Sequence, residues 1–199
     1  MKKFILGVLS AMIIMNNAAA EEKILPQPQT EGGIPLMQAF NQRRAVRSFD
    51  KQKPIDEQTL SNLLWAAYGI SGEEGRRTIP TAKNEKDLEV YVADRNGAWL
   101  YDAENNKLIQ VTDKDISKYF TLQDYVADAA LELIFVGSKD GKFADMHAGS
   151  AYQNAGLYAA SVGLNNVVRA WVEVDNIAKA LNLPADKRVI ITQAFGWGK

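Results

Sequence analysis

Cysteine is missing from the chain altogether. That absence removes disulfides, thiolate catalysis, cysteine-based metal sites and lipoprotein attachment together. Histidine is nearly missing. The single one, His147, would have to serve any Ser-His-Asp hydrolase, and with no nucleophile elbow beside it, it reads as a surface or helix-end residue. No G-x-G-x-x-G, Walker loop or H-E-x-x-H occurs, so those nucleotide and zinc signatures are excluded. Neither sign of charge dominates: 23 Lys and Arg stand against 24 Asp and Glu, without the basic excess of a nucleic-acid binder. Nor is there an apolar run long enough for a stable membrane span, since residues 4–15 fall short of the roughly 20 residues that spanning requires.

That short run has another use. It follows Lys2 and Lys3 and precedes Ala18, Ala19 and Ala20, the basic, apolar and small-residue order of a secretory signal peptide. The expectation is a signal peptide over 1–20 cut after Ala20, with the mature protein periplasmic or secreted. Residues 21–34 carry two prolines and adjacent glycines and read as an exposed N-terminal arm, one that could wrap a neighbouring subunit. A single domain over 35–199 follows.

Arg43, Arg44 and Arg47 fall within five residues, between a short helix expected over 35–41 and an extended run over 46–49. Guanidinium groups stay charged and present a planar fork that fits phosphate oxygens or a carbonyl edge. Along an extended segment Ala45 and Arg47 point one way and Arg44 the other. The cluster reads either as an anion site or as a solvated basic turn. The expected helix would place Leu36, Met37 and Phe40 for burial.

Asp56 is a plausible N-cap for a helix with Leu60, Leu63, Leu64 and Ala67 on one stripe, ended by Gly69. Residues 71–84 form a long polar loop opened by Arg76 and Arg77, a candidate binding loop. Residues 88–93, a turn at Asn96-Gly97, residues 99–102 and residues 107–111 read as a three-stranded meander. A helix carrying Leu122, Tyr125, Val126 and Ala129 is expected next. The nearly unbroken apolar run 131–137 then fits a buried central strand. Over 144–162, Ala148, Ala151, Tyr152, Ala155, Ala159 and Val162 make a helical stripe, with Gly149, Gly156, Ala160 and Gly163 as a second strip of small residues. A strand over 165–174, a helix over 175–183 capped by Asp175 and a strand over 188–195 complete the chain. Strands and helices interleave without a regular repeat, which places the fold in the α+β class. Tyr91, Trp99 and Tyr101 read as strand packing, Trp65 and Trp171 as core packing or as the border of a cofactor pocket, and Asp56, Asp113 and Asp115 as helix starts.

Taken together, these segments resemble the nitroreductase family of FMN-dependent oxidoreductases, in particular its small branch with SagB-type dehydrogenase domains. Residues 43–49 are similar to R-R-S-x-R-x-F, residues 64–70 to L-W-A-A-x-G-I, and residues 77–82 with 88–92 to R-T-x-P-S-A and L-E-x-Y-V. Gln153-Asn154, residues 159–164 and Phe195-Gly196-Trp197 resemble Q-N, A-A-x-x-G-L and a terminal V-G-Y-P. The departures are Ala45 where the family has Ser, Lys-Asn-Glu-Lys at 83–86, and Gly198 in place of the last proline.

The resemblance implies a nitroreductase-like fold, with a central, mostly antiparallel sheet flanked by helices, built as an intertwined homodimer. It implies FMN as cofactor, with NAD(P)H a possible donor, and a small nitroaromatic or quinone-like acceptor. Carried over, Arg43 and Arg44 would meet the phosphate and ribityl region and Arg47 the pyrimidine edge. Thr81, Ala82 and Asn84 would flank the ring, and the backbone of Val168, Arg169 and Ala170 would run near its N5. Ala45 and Gly196 occupy cofactor-binding positions of the same motifs. Two other functions fit the chain: a flavin-binding dimer without turnover and a SagB-like peptide-modifying dehydrogenase.

Overall fold

A computed structural model describes residues 20–72 and 75–199; the expected signal segment, apart from Ala20, lies outside them. The strands are β1 (Glu22–Ile24), β2 (Leu88–Asp94), β3 (Gly97–Asp102), β4 (Lys107–Thr112), β5 (Leu131–Ser138), β6 (Asn165–Arg169) and β7 (Lys187–Gly196). They form one seven-stranded sheet in the order β1-β4-β3-β2-β5-β7-β6, and every pairing is antiparallel. The helices are α1 (Leu36–Gln42), α2 (Glu57–Tyr68), α3 (Ala144–Val162) and α4 (Val174–Ala180). The α+β, nitroreductase-like arrangement read from the sequence is the one observed.

Two apolar layers explain the element boundaries. One face of the sheet, with Val90, Val92, Leu133 and Phe135, packs against Leu63, Leu64 and Ala67 of α2 and Ala148, Ala151, Ala155 and Ala159 of α3. The other face, with Tyr91, Ala93, Ile134 and Val136, packs against Phe120, Val126 and Ile177. Both faces of β5 are therefore covered, and that is why its sequence does not alternate. The alanine and glycine surface of α3 lets the sheet and α2 approach closely, with each of those four alanines fully buried.

Local rules hold where the sequence expressed them. Asp56 accepts the Thr59 N–H at 2.9 Å and caps α2, and Gly69 closes it. At the Asn96-Gly97 turn, Gly97 adopts φ +137, and the Thr112 carbonyl stands where a Cβ would go, 2.1 Å from it.

Several expectations are corrected. The first residues of the arm are not loose: β1 pairs with β4, Leu25 is buried, and Ser61 Oγ donates to the Pro26 carbonyl. Where the sequence spacing predicts a helix carrying Leu122, Tyr125, Val126 and Ala129, Asp124–Asp128 forms a 3-10 turn, its N–H groups reaching back three residues instead of four (Val126 to Gln123, Ala129 to Val126). The strand expected to reach 174 stops at Arg169, and α4 starts at Val174 with Asp175 inside its first turn and no side-chain cap. Leu36, Met37 and Phe40 are exposed at 62%, 76% and 49%, and only Ala39 of α1 is buried. Trp171, read as core packing or a pocket border, is 65% exposed, which rules out the first.

Candidate functional site

Residues 43–50 run along an edge of the sheet. The Arg43 N–H closes α1 on the Ala39 carbonyl, after which the Val46 N–H donates to the Asn166 carbonyl at 2.9 Å and the Asp50 N–H to the Trp197 carbonyl at 2.7 Å. Asn165 Nδ2 donates to the Ser48 carbonyl. Phe49 is buried, and its ring sits so close to Gly196 that a Cβ there would lie 3.0 Å from Phe49 Cδ1. The segment is thus stitched to the start of β6 and the end of β7.

This stitching decides where the arginines lie. The Arg43 stem crosses α3 at Gly156, in a niche shared with Asn166 Oδ1 and Gln193 Nε2, each 3.5 Å from where a Gly156 Cβ would stand. Arg44 Nη1 donates to the Arg43 carbonyl. Arg44, Ala45 and Arg47 are all exposed around a half-buried Val46. Among the described residues, no carboxylate pairs with Arg43, Arg44 or Arg47. Three guanidinium groups without a counter-charge on one sheet edge form a field that favours an anion.

The edge also carries Val168 and Ala170. The Asn166 carbonyl faces outward, toward Val46, while the Arg169 carbonyl faces the sheet and accepts from Thr192 Oγ1. Backbone groups alternate along a strand, so those of Val168 point outward like those of Asn166. The Ala170 carbonyl turns into a tight bend, accepting from Val172. Arg169 instead sends its side chain inward. It pairs with Glu132 at 3.1 Å and also donates to Gln123 Oε1 and to the carbonyls of Phe120 and Trp171. The pair is buried on both sides, and desolvation pushes the Glu132 carboxyl up to about 8 against the pull of Arg169.

Thr81, Ala82 and Asn84 sit elsewhere, at the N-terminal end of α3. Residues Ala82–Asn84 make one 3-10 turn with Lys83 and Asn84 at φ 54 and 58. Its anchor is His147, whose Nε2 accepts the Ala82 N–H at 2.9 Å and whose Nδ1 meets Asp87 Oδ1 at 2.5 Å. His147 therefore stands at the helix end, as one of the two expected readings had it, but is buried and not at the surface. Asn154 of α3 holds the Thr78 carbonyl at 3.2 Å. Gly156 beside Arg43 and His147 beside Ala82 are nine residues apart on α3, roughly 14 Å along its axis. Among the described residues, no hydrogen bond or ion pair joins the two groups directly.

Of the residues read from the sequence, Arg43, Arg44, Ala45, Arg47, Val168 and Ala170 thus gather at one edge with Gly196 behind Phe49 on the neighbouring β7, Thr81, Ala82 and Asn84 lie at the other end of α3, and the Arg169 side chain is turned away. It missed Gln193, which lies fully buried in the Arg43 niche with its Oε1 lacking a partner. It also missed Asp87 and Glu132. No sequence spacing could have linked Asp87 to His147 or Glu132 to Arg169 across 60 and 37 positions.

Comparison with known proteins follows the same lines. The model of the nitroreductase family matches residues 41–197. A candidate nitroreductase of Methanocaldococcus jannaschii is 29% identical over 154 residues, 67% of this chain and 77% of that protein. Among solved structures, a candidate nitroreductase of Ralstonia eutropha superposes with a TM-score of 0.82 at 34% identity, covering 89% of this chain and 90% of that one. A chain of the E. coli microcin synthetase McbBCD complex with truncated pro-MccB17 shares the fold at a TM-score of 0.66 and 21% identity, covering 100% of this chain and 85% of that one.

Proposed function

Because the chain belongs to the nitroreductase family, and so to a family of oxidoreductases, we propose that it is an exported FMN-dependent enzyme that passes electrons from NAD(P)H or another donor to a small nitroaromatic or quinone-like acceptor. The observation that carries the cofactor assignment is the Val46–Asn166 bond. It sets the uncompensated arginines on the same sheet edge as the outward-facing backbone of Val168. Such an edge offers what a flavin phosphate and ring require: cations at one end and unpaired amide groups at the other.

The residues present fit FMN. Arg43 and Arg44 hold the phosphate, Arg47 reaches the pyrimidine edge, where its charge favours negative charge, and Gln193 Oε1 is a buried acceptor awaiting a donor. Val168 orients the ring through its backbone, while Thr81 and Asn84 add a hydroxyl and an amide. When bound, FMN supplies the hydride chemistry, and the protein supplies position and electrostatics. We assign a homodimer as the working form, with the exposed Leu36, Met37 and Phe40 of α1 covered by a second copy. Among the described residues no helix is long and apolar enough to cross a membrane. Cleavage after Ala20 and export to the periplasm or medium belong to the same proposal.

Purified protein reconstituted with FMN should elute as a dimer, show a bound-flavin spectrum and bleach under anaerobic NADH or NADPH. A colourless monomer that takes up no FMN overturns the proposal. Colour without bleaching points to the second reading, a flavin-binding dimer without turnover, favoured by Ala45, which lacks the hydroxyl the family places beside the phosphate. The third, a SagB-like peptide-modifying dehydrogenase, draws on the fold shared with the microcin synthetase chain; dehydrogenation of a bound peptide without nicotinamide would establish it.

A further inference from the structure

The sheet face turned away from α3 carries a cavity of about 340 Å³, lined from the sheet by Ala93 and Glu132 and from the β4–β5 connection by Phe120 and Val126. We propose that this cavity binds a small neutral phenol or alcohol, whose hydroxyl is taken up by the Glu132 carboxyl. Arg43, by contrast, crosses α3 at Gly156 on the opposite face. The cavity is thus a second site, and it does not depend on the proposed function above.

The sheet register makes the space. Ala93 stands directly across from Glu132, and alternation along β5 puts Glu132 on the same face as Ile134 and Val136. A methyl group beside a long polar side chain leaves room that neither fills. Glu132 is 5% exposed, and its Oε1 meets Arg169 Nη1 at 3.1 Å. Its Oε2 is buried and has no partner among the described residues. Thr192 also acts on this carboxyl, but its hydroxyl donates to the Arg169 carbonyl at 3.1 Å. A buried oxygen left unmet costs free energy until a partner is supplied.

Charge narrows the class. Arg169 already balances Glu132, so an entering ammonium would meet a cation beside its intended partner, while an anion would face Glu132 itself. At the rim, Lys51 and Arg95 offset Asp94 and Asp115. A neutral group is left. Burial raises the Glu132 carboxyl to about 8; protonated, its free oxygen needs an acceptor, and ionised, it needs a donor. A hydroxyl supplies both, whereas a ketone or ether supplies the acceptor alone. A primary amide does both but brings a second polar atom against Ala93, Phe120 and Val126. The volume lies at the low end of small-molecule sites, which suits a single ring or a short chain. The walls are fixed in place, since Arg95 Nη2 donates to the Ala127 carbonyl at 3.3 Å and Asp115 accepts the Ser117 N–H at 2.8 Å.

Chemical-shift titration of the protein with phenol and with toluene tests the site. Phenol should bind saturably and move the amides of Ala93, Val126 and Glu132. Ala93→Leu, which fills the cavity, should abolish saturable binding of both compounds. Glu132→Leu, made together with Arg169→Met so that no charge stays buried alone, should weaken phenol relative to toluene by about tenfold, the size of one hydrogen bond. Glu132→Gln, which keeps a donor and an acceptor, should retain the wild-type ratio. Phenol that moves other amides instead, that binds Ala93→Leu as tightly as wild type, or whose ratio to toluene survives loss of the carboxyl overturns the proposal. If the paired variant does not fold, the amide map and Ala93→Leu decide. Repeated with FMN present, the titration should give the same phenol affinity; displacement of phenol by FMN would put the compound on the arginine edge and overturn the cavity assignment. A protein that takes up no FMN fails the oxidoreductase reading alone, because the flavin-free titration still decides on the cavity.

Discussion

The buried His147 and the half-buried Asp87 form a pair with a defined proton. Because Nε2 accepts the Ala82 N–H, the ring proton sits on Nδ1 and is donated to Asp87 Oδ1 at 2.5 Å. One imidazole therefore ties Asp87, just before β2, the first turn of α3 and the 81–84 turn into a single unit. Replacing His147 with Phe leaves the Ala82 N–H unmet and the Asp87 carboxylate without its donor. The expected loss is ~2–4 kcal/mol in urea unfolding, with faster hydrogen exchange at the Ala82 amide. An unchanged midpoint together with unchanged exchange would show that the pair is not what holds the turn.

Two glycines make opposite predictions. At Gly97, φ is +137 and a Cβ would stand 2.1 Å from the Thr112 carbonyl, so Gly97→Ala should cost ~2–3 kcal/mol or more. At Gly156 the nearest atoms are 3.5 Å from a Cβ, ordinary contact, so Gly156→Ala should raise stability by up to about 1 kcal/mol through helix propensity. Thermal melts of the two variants check both signs.

For the cofactor site, Arg43→Ala and Arg47→Ala should each weaken FMN retention, and Arg47→Ala should also lower the flavin potential by removing positive charge near the ring. Ala45→Ser should tighten binding by restoring a hydroxyl donor. Fluorescence titration and a reference-dye redox titration read these effects. Wild-type retention in Arg47→Ala, with an unshifted potential, would take that residue out of the site.

The Glu132–Arg169 pair gives a pH prediction with a definite sign. Burial raises the Glu132 carboxyl in the folded protein to about 8 from its ordinary 4.5. Its contribution to stability is then complete below pH 4.5 and is lost as pH climbs through about 8, because the unfolded chain releases the proton first. Measured against Glu132→Gln, which does not titrate, wild type should lose ground between pH 5 and 8. The opposite trend would mean that Arg169 dominates and the carboxylate is ionised throughout.

Much of the architecture is legible in the chain because local rules express it. The Asp56 cap, the Gly69 stop, the alanine stripe of α3 and the unbroken run of β5 each reflect a requirement set by a few neighbouring residues. The failures share a cause. Leu122, Tyr125, Val126 and Ala129 carry helical spacing, yet Asp124–Asp128 closes as a 3-10 turn, with Val126 N–H on the Gln123 carbonyl and Ala129 N–H on the Val126 carbonyl. Leu36, Met37 and Phe40 have the residue types of a core, but α1 turns only Ala39 inward. His147 looks like a lone histidine until Asp87 arrives from another element.

By itself the sequence determined the fold class, the order and periodicity of its main elements and the presence of three closely spaced arginines, because backbone geometry and apolar spacing act over a few residues. The tertiary structure alone decided that these arginines share an edge with Val168, that Arg169 turns inward to Glu132, and that Gln193 and Glu132 keep buried polar atoms without partners. Those outcomes depend on burial and on pairings between distant positions, which no local pattern encodes.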